Sequence, residues 1–247
     1  MGVVVTLRSL TVVITFVLSL LHVSKLGRCI VVDRHDAAAA EENFQSPSHE
    51  MLAADGAGAA VAGSALSQQL LSRLKAGNLV PEVVATLPDN LLDMRVLYGD
   101  VELPIGVQMR LVQTQNKPSV QFYGNGFGGD ADKYTLAMVD PDAPSPSNPV
   151  LRNILHWLVT DIPGSTTASQ EIWETGQEKI PYMGPAPPEG LHRYVLLLFK
   201  QEKSSGLFDK VMEVPPSRVS FSLADFVKKY KLGIPVAGYY FRAAYGN

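Results

Sequence analysis

ILHWLVTDI, residues 154–162, and HRYVLLLFKQ, residues 192–201, decide the fold. Both carry apolar side chains at odd and even positions alike. A strand that is apolar on both faces is covered on both sides, so these two are central strands of a sheet packed above and below. Working outward, MRVLYG (94–99), VQFYG (120–124), YTLAMVD (134–140) and PVAGYYF (235–241) are further extended runs, separated by Pro, Gly, Asn and Asp. Two segments carry helical spacing. Leu66, Leu70, Leu71 and Leu74 recur along one helix face, closed by Gly77-Asn78. SLADFVKKYKLG (222–233) offers Ser222 as N-cap, Asp225 three residues on, and Gly233 as the stop. Strands without alternating helices argue against a doubly wound sheet. They argue for a mainly β domain, an antiparallel, Greek-key-like β-sandwich with a few peripheral short helices.

The 247 residues divide into three unlike segments. Arg8 precedes TVVITFVLSLLHV (11–23), which has no formal charge, and Lys25 and Arg28 follow. An apolar run this short after a positive start reads as a signal peptide over residues 1–29, with small Gly27 and Cys29 at the cleavage position. A spanning helix needs about 20 apolar residues, and an uncleaved membrane anchor is the alternative. Residues 30–63 hold one Arg against six Asp plus Glu, many Ala and Gly, and one aromatic, Phe44. Such a composition buries too little surface to offset the entropy of ordering, and Gly56, Gly58 and Gly63 oppose a helix. It is expected to be a disordered spacer. Residues 64–247 form the folded domain, nearly neutral with 17 Lys plus Arg and 18 Asp plus Glu.

These counts exclude some functions. The single cysteine rules out an internal disulfide framework and a Cys-rich zinc site. A net charge of -3 gives no broad footprint for nucleic acid. The leader predicts a secreted or secretory-lumen protein, and the absence of any N-x-Ser/Thr sequon means secretion would leave no N-glycan.

Three stretches are candidates for chemistry. GNGFGG (124–129) matches the dinucleotide fingerprint letter for letter, but DADKYTLAMVD follows it and reads as strand. The fingerprint needs a helix there, so a turn between strands is the better account. DPDAPSPSNP (140–149) ends a strand with Asp140 on the side of Tyr134, Leu136 and Met138, and four prolines stiffen the turn. It reads either as a rigid surface turn with a capping Asp or as the rim of a polar pocket.

The third candidate is a histidine pair. Of five histidines only His156 and His192 lie in the folded domain. Alternation puts Ile154, His156 and Leu158 on one face, and His192, Tyr194, Leu196 and Leu198 on one face. A lone histidine on an apolar strand is most often a satisfied core residue. Two of them beside a tyrosine and two proline-rich turns suit an anion such as phosphate. Two His and two Asp are alternatively a divalent-metal set, but no HExxH spacing or third strong ligand supports this. No GxSxG elbow supplies a nucleophile.

DPDAPSPSNPVLRNILHWLVTDIPG and GPAPPEGLHRY resemble the two signature blocks of the phosphatidylethanolamine-binding proteins, the group that includes the Raf-kinase-inhibitor proteins. LHWLVTDIPG, PYMGPAPP, PPSR and LGIPVAGYYF are most similar to the plant branch of flowering regulators. The resemblance covers about Leu66 to the C-terminus. It implies a β-sandwich with a small anion pocket at one end of the large sheet, taking phosphate or a phosphatidylethanolamine head group without cofactor or metal. Carried over residue by residue, the pocket uses Asp140, Asp142, His156, His192 and Tyr194, with Pro187 and Pro188 shaping its wall. The histidines and the tyrosine would donate to the anion, and Asp140 would orient a histidine.

The resemblance also implies a binder and regulator rather than an enzyme. It implies a monomer, a kinase, protease or 14-3-3 partner, and peripheral contact with membranes. Pro163 and Arg218 match a partner surface of the plant members, while Ala131 stands where a second arginine is expected. Ala186 precedes the Pro-Pro pair where Arg or Gly is common, and Ile154 stands at the position that separates plant subtypes. The C-terminal helix of the mammalian members has no counterpart after the last strand.

Overall fold

The computed structural model describes residues 56–123, 131–202, 217–219 and 221–246. The leader, the spacer up to residue 55 and the GNGFGG turn lie outside the described residues. Helix α1 spans Gly56–Ala76 and helix α2 spans Leu79–Glu82. Then come β1 (Asp93–Tyr98), β2 (Val101–Glu102), β3 (Gln108–Met109) and β4 (Ser119–Tyr123). After them lie β5 (Lys133–Asp140), β6 (Ile154–Pro163), α3 (Ile172–Thr175), β7 (Gln177–Ile180) and β8 (Leu191–Lys200). Helix α4 (Leu223–Lys229) and strand β9 (Ala237–Ala244) complete the described chain.

The strands form two sheets, a three-stranded one ordered β2-β1-β4 and a six-stranded one ordered β3-β9-β8-β5-β6-β7. Pairing is antiparallel except between the two-residue β3 and β9. The six extended runs read from sequence are all strands, and β6 and β8 are interior to the large sheet as expected, with β5 between them.

Alternation along the central strands sorts their side chains into two cores. Tyr134, Leu136 and Met138 with Tyr194, Leu196 and Leu198 face the small sheet, where Met94, Val96, Val120 and Phe122 meet them. Ala137 and Val139 with Val195, Leu197 and Phe199 face the helices, where Leu70 and Leu74 of α1 and Leu223 and Phe226 of α4 meet them. Each fully buried side chain of this kind contributes about 1.5–3 kcal/mol, so the two cores together favour folding strongly. Ser222 caps α4 as expected, its Oγ accepting from the Asp225 N–H at 3.2 Å.

The spacer boundary is corrected by α1. The helix begins at Gly56, eight residues before the expected domain start at residue 64. Ala57, Ala59, Ala60 and Ala62 stand among the three glycines, and a strong helix former at nearly every other position offsets their cost. The helix ends at Gly77, where a Cβ would sit 2.4 Å from the Tyr240 ring of β9. That close approach lets α1 lie against the sheet.

One departure from strict alternation shapes the rest. On β6 Trp157 pairs with Met138 and Leu155 with Val139, leaving His156 without a partner on β5. His156 is therefore the extra residue of a β-bulge, which bends a strand and re-aims a side chain. The expected single face of Ile154, His156 and Leu158 is overturned by it. Leu155 and Leu158 both face the helices, and Trp157 faces the small sheet.

Candidate anion-binding site

Asp140 ends β5, His156 sits at the β6 bulge, and His192 and Tyr194 lie near the start of β8. All four are buried. The Tyr194 ring meets His156 edge-on at 5.1 Å between centroids and stacks on His192 at 6.5 Å. The structure thus gathers the two histidines, the tyrosine and Asp140 at one end of the large sheet.

Their hydrogen bonds assign different roles. Asp140 Oδ2 lies 2.8 Å from His192 Nδ1, and the Glu189 carbonyl lies 3.0 Å from His192 Nε2. A carbonyl only accepts, and so does an ionised carboxylate, so both ring nitrogens donate and His192 is held as an imidazolium. Burial opposes that charge, but the hydrogen bond and field of Asp140 outweigh it, and the His192 pKa is raised. His192 therefore has neither N–H free. The expectation that it donates to an anion gives way to a role as a buried cation balancing Asp140.

His156 is set the other way. Its Nδ1 donates to the Met183 carbonyl at 2.8 Å, and the Met183 N–H returns a bond to the His156 carbonyl at 2.9 Å. Burial pushes its pKa down, over the opposing pull of Asp140 and Met183, with Arg218 and His192 adding to the lowering. The ring is neutral, its proton is on Nδ1, and Nε2 carries a lone pair.

Tyr194 supplies the unpaired group. Its hydroxyl is buried with no hydrogen-bond partner. Burial first and the Asp140 charge second push its pKa far up, so the phenol keeps its proton. The Ala186 N–H, a donor close to the phenol oxygen, pulls the other way, and the hydroxyl proton itself has no acceptor. A buried donor left unsatisfied costs about 1–3 kcal/mol.

Asp142 is present but points elsewhere. Its Oδ2 accepts from the Arg193 backbone N–H at 2.8 Å and Nε at 2.9 Å, and its Oδ1 accepts from Nη2 at 2.7 Å. Arg193 also donates to the Gly77 carbonyl and to Glu82, tying the α1–α2 junction to this turn. Asp142 anchors the rim, and its own N–H donates to Asp140 Oδ1 at 2.8 Å. Pro187 is buried, while Pro188 is exposed.

Two arginines of the site, Arg193 and Arg218, carry roles the sequence reading does not assign. Arg218, expected at a partner surface, is half-buried and donates to the carbonyls of Leu155, His156 and Pro181 at 3.1, 3.0 and 2.8 Å. It clamps the bulge that carries His156. Pro163, the other expected surface residue, ends β6 and is half-buried. Among the described residues no group of three or more His, Cys, Asp or Glu could hold a metal ion, and no helix is long and apolar enough to cross a membrane.

The profile described as phosphatidylethanolamine-binding protein matches residues 100–241, which include Asp140, Asp142, His156, His192, Arg193, Tyr194 and Arg218. The chain belongs to the phosphatidylethanolamine-binding protein family. The Arabidopsis thaliana protein TWIN SISTER of FT is 41% identical over 174 residues, covering 70% of this chain and 91% of its own. Arabidopsis thaliana FLOWERING LOCUS T is 39% identical over 168 residues, covering 65% and 89%. Among solved structures, a carboxypeptidase Y inhibitor complexed with its cognate proteinase superposes with a TM-score of 0.59 at 24% identity, covering 72% of this chain and 95% of that one. That likeness extends to the fold.

Proposed function

We propose that this family member is a non-catalytic binder of phosphate-bearing groups, either free phosphate or a phospholipid head group, acting as a regulator. The observation that carries the reading is the Tyr194 hydroxyl, a buried donor with no partner beside two histidines. A folded chain keeps such a costly group where a ligand satisfies it. The family supports phosphatidylethanolamine-type head groups as the ligand class.

The geometry speaks against hydrolysis. Asp140 and His192 resemble two members of a nucleophilic triad, but Nε2, which would face the nucleophile, is capped by the Glu189 carbonyl. Titrating phosphorylethanolamine while following the ring signals of His156 and His192 by NMR tests the reading. Both rings should respond. No response at millimolar ligand would overturn it.

We further propose that the charge-free run 11–23 directs the chain into the secretory pathway. N-terminal sequencing of secreted protein should find residues 1–29 removed. A secreted chain still starting at Met1 would contradict this.

A further inference from the structure

The donors and acceptors left at the site impose a condition on the ligand. An anion resting between His156 and Tyr194 meets one donor, the Tyr194 hydroxyl. It also meets one lone pair, because the Met183 carbonyl fixes the His156 proton on Nδ1 and leaves Nε2 as an acceptor. His192 cannot turn a nitrogen toward the anion, since Asp140 and Glu189 hold both. Asp142 and Arg193 neutralise each other through three hydrogen bonds. The site as it stands therefore repels an ionised phosphate oxygen at Nε2.

We propose, resting on the phosphate-binding reading above, that the anion is bound together with one proton, which sits on Nε2 of His156 in the complex. The proton comes from solvent, and the Nε2 lone pair accepts it. A second donor, this one an N–H, is created at the moment the anion arrives. The phosphate of a phosphodiester head group carries no P–OH, so the proton between it and Nε2 must be recruited. Inorganic phosphate can instead bring a P–OH that donates to the lone pair.

The groups facing His156 fit this exchange. Asp140 at the end of β5 favours the charged ring, while His192 of β8 and Arg218, on the carbonyl of His156 itself, disfavour it. The Tyr194 ring of β8 packs edge-on and stays neutral. Burial keeps the free ring unprotonated, and an anion at Nε2 supplies the missing counter-charge.

Calorimetry on the folded protein with glycerophosphoethanolamine, a diester, and separately with inorganic phosphate tests the proposal from pH 6 to pH 8.5. Diester affinity should fall nearly tenfold per pH unit, with close to one proton taken up when two buffers of different ionisation enthalpy are compared. Inorganic phosphate keeps a P–OH both as the monoanion and as the dianion, so its affinity should change little over the same range. In His156→Gln the amide supplies a permanent donor, and diester affinity should become flat with pH. Diester binding that is pH-independent in the wild type, or a slope that survives in the variant, overturns proton coupling while leaving the binding reading intact. Binding of neither probe at millimolar concentration overturns the binding reading, and the coupling with it.

Discussion

His192 and Asp140 form a buried pair, Nδ1 to Oδ2 at 2.8 Å, whose histidine has its remaining nitrogen bonded to a carbonyl. The ring is thereby fixed as a cation inside the protein, while His156, one bulge away, is fixed neutral. Two histidines in one site thus shift in opposite directions from the ordinary value near 6.5.

The opposite shifts have a pH signature. A raised folded pKa at His192 gives stability that is complete below about 6.5 and is lost as pH rises through the raised value. A lowered folded pKa at His156 gives the reverse, with stability lost as pH falls below about 6.5 toward the lowered value. NMR titration of the two rings should find the His192 midpoint above and the His156 midpoint below that reference. Midpoints in the other order would contradict the hydrogen-bond assignment.

Tyr194→Phe removes a hydroxyl that has no partner in the free protein. Deleting an unsatisfied buried donor should leave stability unchanged or raise it by about 1 kcal/mol. The same change should weaken phosphate binding at least several-fold. Urea unfolding and calorimetry on the one variant separate the two effects. A destabilised Tyr194→Phe protein would show that the hydroxyl is already bonded.

Arg193 carries a structural load that its neighbour His192 does not share. Its guanidinium serves Asp142, Glu82 and the Gly77 carbonyl. Arg193→Ala leaves Asp142 buried without its cation, which should cost about 3–5 kcal/mol in chemical denaturation. Arg193→Lys cannot reproduce the forked geometry and should recover only part of it. A loss below about 1 kcal/mol for Arg193→Ala would show the pair to be no stronger than a surface bridge.

Arg218→Ala frees three carbonyls around the bulge. It should cost about 1–3 kcal/mol, the lower end where water reaches those carbonyls. It also removes a positive charge beside His156, so the His156 midpoint should rise toward its ordinary value. An unchanged midpoint would contradict the clamp.

Much of this architecture is legible in the chain because it follows from periodicity. Tyr134, Leu136, Met138 and Asp140 share a face on period-2 counting, as do His192 and Tyr194, and these relations hold in the structure. The signals that failed are those that break a period. The bulge at His156 moves Leu158 to the helix side, and nothing in ILHWLV announces an extra residue. Strands β2 and β3 have two residues each, too short for alternation to register. Arg218 is expected at a partner surface and Asp142 in the pocket, and residue type and spacing name no partner for either. Only their partners, three carbonyls and one guanidinium, reveal inward roles. Helix α1 starts early because alanine content outweighs glycine, a balance that composition alone states poorly.

The most direct test of the central claim is a crystal structure of the domain grown with phosphate. The expected result is tetrahedral density with one oxygen about 2.5–3.0 Å from the Tyr194 hydroxyl and another about 2.7–3.2 Å from Nε2 of His156. His192 should stay on Asp140 and the Glu189 carbonyl. Density bonded instead to a rotated His192, or none between His156 and Tyr194 at saturating phosphate, would contradict the account.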